Sequence, residues 1–255
     1  MLDNIRVVLV NTSHPGNIGA VARAMKNMGL YHLTLVDPED FPHDIARFRA
    51  VSATDILDNA HVVPDLKSAV SECGLVIGAS ARSRSMPWPM LDPRQCADRV
   101  VADGVNNKVA LVFGREKSGL SNEELTLCNY HVQIPTDEAY PSLNLAAATT
   151  IILHEVRMAC LKAGDDTGTR PASAPPADES HWDVARANGQ QMELFYEHLE
   201  KVLVDLDFHD PDNPRQLMAR MRRMFGRIRP DRMEVNILRG VLTHIEQALN
   251  TRKKK

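Results

Sequence analysis

A chain of 255 residues, 44% of them hydrophobic, holds enough apolar material for one large domain, or for one of ordinary size with a small appendage. No apolar run approaches the roughly 20 residues that cross a bilayer, and MLDNIRVVLVNTS has neither the basic start nor the long apolar stretch of a signal peptide, so a soluble cytoplasmic protein is expected. The net charge is only −3, the four cysteines (Cys73, Cys96, Cys128, Cys160) form no CxxC pair and the ten histidines no HExxH pair, which argues against a zinc site or disulfide framework; no metal is expected, and the cysteines read as buried small hydrophobes.

The first two thirds alternate β-branched runs with helical segments, the pattern of an α/β sheet with helices on its faces. Strands are predicted at Ile5–Val10, Leu33–Val36, His61–Val63, Leu75–Gly78, Val109–Phe113 and His131–Ile134. Between the first two, Ile18, Val21, Ala22, Met25 and Met28 recur at helical spacing, predicting a helix over Asn17–Met28 that Gly29 ends. Asp37-Pro38 makes a turn, and Leu145–Leu161 is the last helix of this domain, opening on small residues that allow close packing.

Gly164–Glu179, rich in Gly, Pro, Ala, Ser and acids, cannot build a core and reads as a flexible linker. The expected division is therefore a domain over 1–163, a linker over 164–180 and a helical domain over 181–255. Three amphipathic helices are predicted in the last part, one with Phe195, Leu199, Val202, Leu203 and Leu206 on a face, one around Leu217, Met221 and Phe225, and one with Val235, Leu238, Leu242, Ile245 and Leu249. From Pro214 to Lys255, twelve Lys/Arg stand against three acids, a local charge of +9 that leaves −12 on residues 1–213. A solvated helical face is one reading of that charge; the excess of arginine, whose planar fork suits phosphate, favours nucleic acid.

Three stretches follow predicted strands, where open α/β sheets place their ligand sites. The first is Asn11-Thr12-Ser13-His14-Pro15-Gly16-Asn17-Ile18-Gly19, leading to Arg23; its glycines permit tight turns and its helix start attracts anions, or Asn17 is an N-cap and Arg23 a solvated side chain. It is neither a dinucleotide GxGxxG nor a P-loop. The second runs from Val109 through Gly114-Arg115-Glu116-Lys117-Ser118-Gly119-Leu120, with Ser121 and Glu124 spaced as a capping box. The third is Ile134-Pro135-Thr136-Asp137-Glu138-Ala139-Tyr140-Pro141-Ser142-Leu143-Asn144-Leu145-Ala146, in which Ser142 or Asn144 can cap a helix. The region Val109–Glu155 is thus read as the functional centre.

In this order, GNIGAVAR, FGREKSGL and SLNLA resemble the motifs of the SpoU-type branch of the SPOUT methyltransferases, over about the first 160 residues. Many relatives carry IPM-x-G before the SLN triplet, where this chain has Ile134-Pro135-Thr136-Asp137-Glu138. That departure, with SARSRSMPWPMLDP and the helical C-terminal appendage, is similar to the tRNA ribose 2′-O-methyltransferases of the branch.

The resemblance implies a SPOUT-type α/β domain with a C-terminal trefoil knot, plus a small all-helical C-terminal domain. It implies S-adenosylmethionine as cofactor, tRNA as partner and a homodimer with its active site at the subunit interface. By position, the methyl donor is expected at Ala79, Ser80, Ala81, Gly114, Ile134, Ser142, Leu143 and Asn144. The substrate is expected to be cytidine or uridine at position 32 of the anticodon loop; another tRNA or rRNA position is the alternative.

A ribose hydroxyl is a weak nucleophile and a sulfonium methyl a strong electrophile, so alignment and relief of the hydroxyl proton are the main tasks. A guanidinium is a poor general base. Arg23 is therefore expected to stabilise developing negative charge on the ribose oxygen and to grip the adjacent phosphate, with Asn17 and Ser142 fixing the nucleotide. Glu116 orients Arg23, shapes the knot loop or is a structural turn residue. RNA phosphates are expected at Arg23, Arg82, Arg84, Arg220, Arg222, Arg223 and Arg227. Two rival readings remain: a non-catalytic RNA-binding protein with a degenerate pocket, disfavoured by the intact motifs, and a nucleotide-dependent oxidoreductase, disfavoured by the missing dinucleotide fingerprint.

Overall fold

The computed structural model describes residues 1–80, 89–165 and 184–253. The chain divides into two compact units, Met1–His181 and Trp182–Lys255. In the first, seven strands form one sheet: β1 (Ile5–Val10), β2 (His32–Val36), β3 (His61–Val63), β4 (Leu75–Ala79), β5 (Met90–Leu91), β6 (Val109–Phe113) and β7 (Tyr130–Val132). Their order is β3-β2-β1-β6-β4-β7-β5, and every neighbouring pair is parallel. All C-terminal strand ends therefore lie along one edge of the sheet. The helices between strands are α1 (Pro15–Met28), α2 (Asp44–Ala50), α3 (Thr54–Asp58), α4 (Leu66–Val70), α5 (Pro93–Gly104) and α6 (Asn122–Thr126), and α7 (Leu145–Asp165) follows β7.

Period-two alternation divides the core between the two sheet faces. Ile5, Val7 and Leu9 of β1 join Leu111 and Phe113 of β6 against Ile18, Val21 and Met25 of α1 and Ile152 and Val156 of α7. Val8 and Val10, with Ala110 and Val112, join Leu66 and Val70 of α4 and Leu125 of α6 on the opposite face. Both faces of the central strands are covered, which is why β6 is apolar throughout and β1 is interrupted only by Arg6.

Several boundaries differ from expectation. Helix α1 starts at Pro15, because His14 caps it through Nδ1, which accepts from the Gly16 amide at 3.0 Å, and proline suits the first helical position. Asn17 is thus inside the helix and is not its cap. Gly19 serves packing: a Cβ there would lie 2.0 Å from the Ala46 carbonyl oxygen of α2. Strand β7 spans Tyr130–Val132, and Ile134 falls outside it; Pro135 has no amide with which to extend the ladder. Helix α7 runs past Leu161 to Asp165, so residues 164 and 165 of the expected linker are helical, while 166–180 lie outside the described residues. The two-residue strand β5 was not foreseen. Cys73, Cys96 and Cys128 are buried as expected, but Cys160 is only half-buried.

The second unit consists of α8 (Gly189–Asp205), α9 (Leu217–Ile228) and α10 (Arg232–Lys253). Phe195, Tyr196, Val202, Val235 and Leu242 form its core, with Phe225 partly buried against them. The Phe195 and Phe225 rings meet edge to face at 4.8 Å. Leu206, expected on the apolar face of α8, is 43% exposed because the helix ends at Asp205.

Candidate active site

The loops leaving the C-terminal ends of β4, β6 and β7 surround a cleft that opens to solvent. Ala79 and Ser80 come from the end of β4, Phe113 to Leu120 from β6 and its loop, Val132 and Ile134 from β7, and Pro141, Ser142 and Leu143 from the approach to α7, whose Leu145, Ala148 and Ile152 complete the wall. Of the residues expected to hold the methyl donor, the structure brings together Ala79, Ser80, Gly114, Ile134, Ser142 and Leu143. Ala81 lies outside the described residues, as do Arg82 and Arg84. Asn144 is not part of the wall; its side chain caps α7, accepting from the Ala146 amide at 2.9 Å, and donates to Asn17 Oδ1 at 3.3 Å.

The β6 loop owes its shape to close backbone approach. A Cβ at Gly114 would lie 2.2 Å from the Gly119 carbonyl carbon, and Gly119 itself has a left-handed φ of 68°. Between them, Arg115 N donates to Gly119 O at 3.2 Å and Gly119 N to Arg115 O at 2.8 Å. The side chain of Arg115 reaches forward to both carboxylate oxygens of Glu124, at 3.0 Å each, and donates to Asn11 Oδ1. Glu124 completes the capping box of α6 with Ser121.

Glu116 points toward the first motif. Its Oε1 accepts from Asn17 Nδ2 at 2.9 Å and the His14 amide at 3.2 Å, and its Oε2 accepts from the Ser13 amide at 3.2 Å and the Ser13 hydroxyl at 3.1 Å. Burial alone pushes this carboxyl up, but hydrogen bonds from the Asn17 amide and from the backbone N–H groups of Glu116, Ser13 and His14 outweigh it, and the net shift is downward. The negative charge also stands at the amino end of α1, where the helix dipole favours it.

Arg23 is exposed and makes no ion pair or hydrogen bond among the described residues. It does not line the cleft, and it stands about 120° round α1 from Asn17. Within one chain, Glu116 therefore holds the 13–17 segment and makes no contact with Arg23. In the second unit, Arg220 and Arg227 are exposed and Arg223 is half-buried. Arg222 faces inward instead: it pairs with both oxygens of Glu193 at 2.8 and 2.6 Å and lies 4.5 Å from the centre of the Tyr196 ring. Its guanidinium is occupied within the unit. Among the described residues no group of three or more His, Cys, Asp or Glu side chains is placed to hold a metal ion.

Arg115 and Asn11 were not assigned roles from sequence. Arg115 belongs to the FGREKSGL string, but its partners lie 9 residues ahead and 104 behind, and no local pattern links them. Leu145, Ala148 and Ile152 were legible only as part of the Leu145–Leu161 helix.

A parallel sheet whose C-terminal edge opens into a cleft between the GREKSGL loop and the SLN segment, with an asparagine of the first motif joining the two, defines a methylase of the SpoU type. The SpoU rRNA methylase family matches residues 4–154, and the C-terminal domain of the tRNA methyltransferase TrmJ matches residues 190–254. The chain belongs to the SpoU rRNA methylase family. It is 53% identical over 97% of its length, and 95% of the relative's, to the tRNA (cytidine/uridine/adenosine-2′-O-)-methyltransferase TrmJ of Pseudomonas aeruginosa. It is 50% identical to the tRNA (cytidine/uridine-2′-O-)-methyltransferase TrmJ of Klebsiella pneumoniae, covering 97% and 98% of the two chains. Among solved structures, TrmJ from Z. mobilis superposes with a TM-score of 0.80 at 27% identity, covering 94% of this chain and 98% of that one.

Proposed function

We propose that this protein transfers the methyl group of S-adenosylmethionine to a ribose 2′-hydroxyl of tRNA, at cytidine or uridine 32 of the anticodon loop. The observation that carries this reading is the joining of all three motifs beside one cleft through the Asn144–Asn17–Glu116 hydrogen bonds. The cleft suits the cofactor chemically: Phe113, Leu120, Val132 and Ile134 offer apolar surface for an adenine ring, and the surrounding loops offer backbone groups to its polar edge. When bound, S-adenosylmethionine supplies an electrophilic methyl group. The trefoil knot expected of the family belongs to this reading.

The protein's own groups would align the nucleotide. Each polar atom of the Asn17 amide retains one hydrogen-bonding site beyond those used by Glu116 and Asn144. Ser142 stands at the cleft wall. Arg23, exposed and away from its own cleft, suits a homodimer in which it reaches the nucleotide held at the other subunit, there stabilising the ribose oxygen and gripping a phosphate. Arg220, Arg223 and Arg227 of the second unit, with Arg82 and Arg84, would hold tRNA phosphates, giving a salt-sensitive affinity. The cytoplasm, where tRNA is modified, is the expected compartment.

The test is to incubate the protein with labelled S-adenosylmethionine and bulk tRNA and to map methylated nucleosides. Label in 2′-O-methylcytidine or 2′-O-methyluridine at position 32 is expected. Folded protein that labels no RNA would return the reading to a binding module, and label at another position would move the substrate assignment.

A further inference from the structure

Arg115 forms the outer of two clamps between the first and second motifs. The inner clamp is Glu116 on Ser13, His14 and Asn17. In the outer one, the Arg115 guanidinium joins Glu124 to Asn11, and Asn11 Nδ2 donates onward to Asp37 at its backbone oxygen, 3.0 Å, and at Oδ2, 2.9 Å. The chain of contacts therefore crosses the C-terminal ends of β6, β1 and β2. Asn11 and Asp37 both have left-handed backbone, with φ of 46° and 41°. Such residues persist where surrounding contacts over-determine them.

The geometry points to Arg115 as a positioning residue for methyl transfer, acting through Asn11 on the 11–17 segment that presents Asn17. This rests on the function proposed above. Arg115 and Glu116 are consecutive, so anchoring one to β1 and α6 sets the backbone from which the other reaches Asn17. Lysine offers a single ammonium in place of the planar fork and cannot bond both Glu124 oxygens and Asn11 in the same arrangement. The cleft wall itself is held separately, by the Arg115–Gly119 backbone pair and the close approach at Gly114, neither of which needs the side chain. Donor binding and alignment of the acceptor should therefore separate.

The experiment compares Arg115→Gln and Arg115→Lys with the unaltered full-length protein in three measurements: tRNA methylation, S-adenosylmethionine affinity by calorimetry, and amide hydrogen exchange. Turnover should fall by about 10- to 100-fold, as a displacement near 1 Å can cause, with a much smaller fall in donor affinity and lysine recovering only part of the loss. Exchange at residues 11–17 should quicken while strand β6 stays protected. Asn11→Ala should lower turnover similarly and add little to Arg115→Gln in the double variant. Turnover within about twofold of the parent, or a loss of donor affinity as large as the loss of turnover, would overturn the assignment. If the unaltered protein labels no tRNA, the proposed function fails, and exchange at 11–17 still decides whether Arg115 holds that segment; unchanged exchange would overturn the clamp.

Discussion

Asn17 Nδ2 donates to Glu116 Oε1 at 2.9 Å across 99 residues of chain, and this contact ties the helix of the first motif to the loop of the second. Glu116 offers acceptors only and meets donors only, from Ser13, His14 and Asn17. Glu116→Gln replaces one acceptor oxygen with a donating NH2 that must face one of those donors. Methyl transfer should fall by about tenfold or more while the fold is retained; turnover measured beside circular-dichroism melting checks this, and unchanged turnover would remove Glu116 from the alignment of Asn17.

The same carboxyl predicts a pH dependence. Its folded value lies below the ordinary 4.5, so the stability it contributes is fully present above that value and is lost as pH falls through the lowered one. Denaturant melts of the parent and Glu116→Gln, taken from about pH 6 down to about pH 3, should converge toward the acid end. A gap that stays constant across the range would contradict the downward shift.

Gly114→Ala should distort the cleft proposed to hold the methyl donor. The added methyl would meet the backbone of Gly119 and Leu120 at 2.2 to 2.3 Å, and backbone cannot swing aside as a side chain can. Binding of S-adenosylmethionine by calorimetry should drop by about 100-fold or more, a loss of about 3 kcal/mol, with affinity for tRNA little changed.

Arg23→Lys should keep donor binding and lose most turnover, since a compact ammonium cannot replace a planar fork. If Arg23 serves the other subunit's cleft, mixing inactive Arg23→Lys with inactive Gly114→Ala should restore activity, to about half the parental value per mixed dimer, which has one intact site. No restoration on subunit exchange would place Arg23 and the cleft it serves within one chain.

The arginines of the second unit should separate into two kinds. Glu193→Ala strips Arg222 of a largely buried partner and should destabilise that unit by about 1–3 kcal/mol. Arg220→Ala and Arg227→Ala should leave melting unchanged, weaken tRNA binding, and each reduce the salt slope by about one. An Arg222→Ala variant that binds tRNA weakly but melts normally would restore Arg222 to the RNA-binding surface.

Sequence alone carried the α/β class, because β-branched runs alternate with helical segments, and it carried the family, because three motifs recur in a fixed order. Six of the residues it named for the methyl donor line one cleft, since parallel strands bring their C-terminal loops to one edge. The partners of individual polar side chains were decided only in three dimensions. Asn17 could be read as a cap until His14 was seen in that place; Glu116 had three readings until Ser13, His14 and Asn17 occupied its oxygens; Arg222 counted as one charge among twelve until Glu193 turned it inward; Arg115 had no role until Glu124 and Asn11 met it. Apolar periodicity is written locally, residue beside residue, whereas a hydrogen bond depends on which distant partner the folded chain brings within about 3 Å.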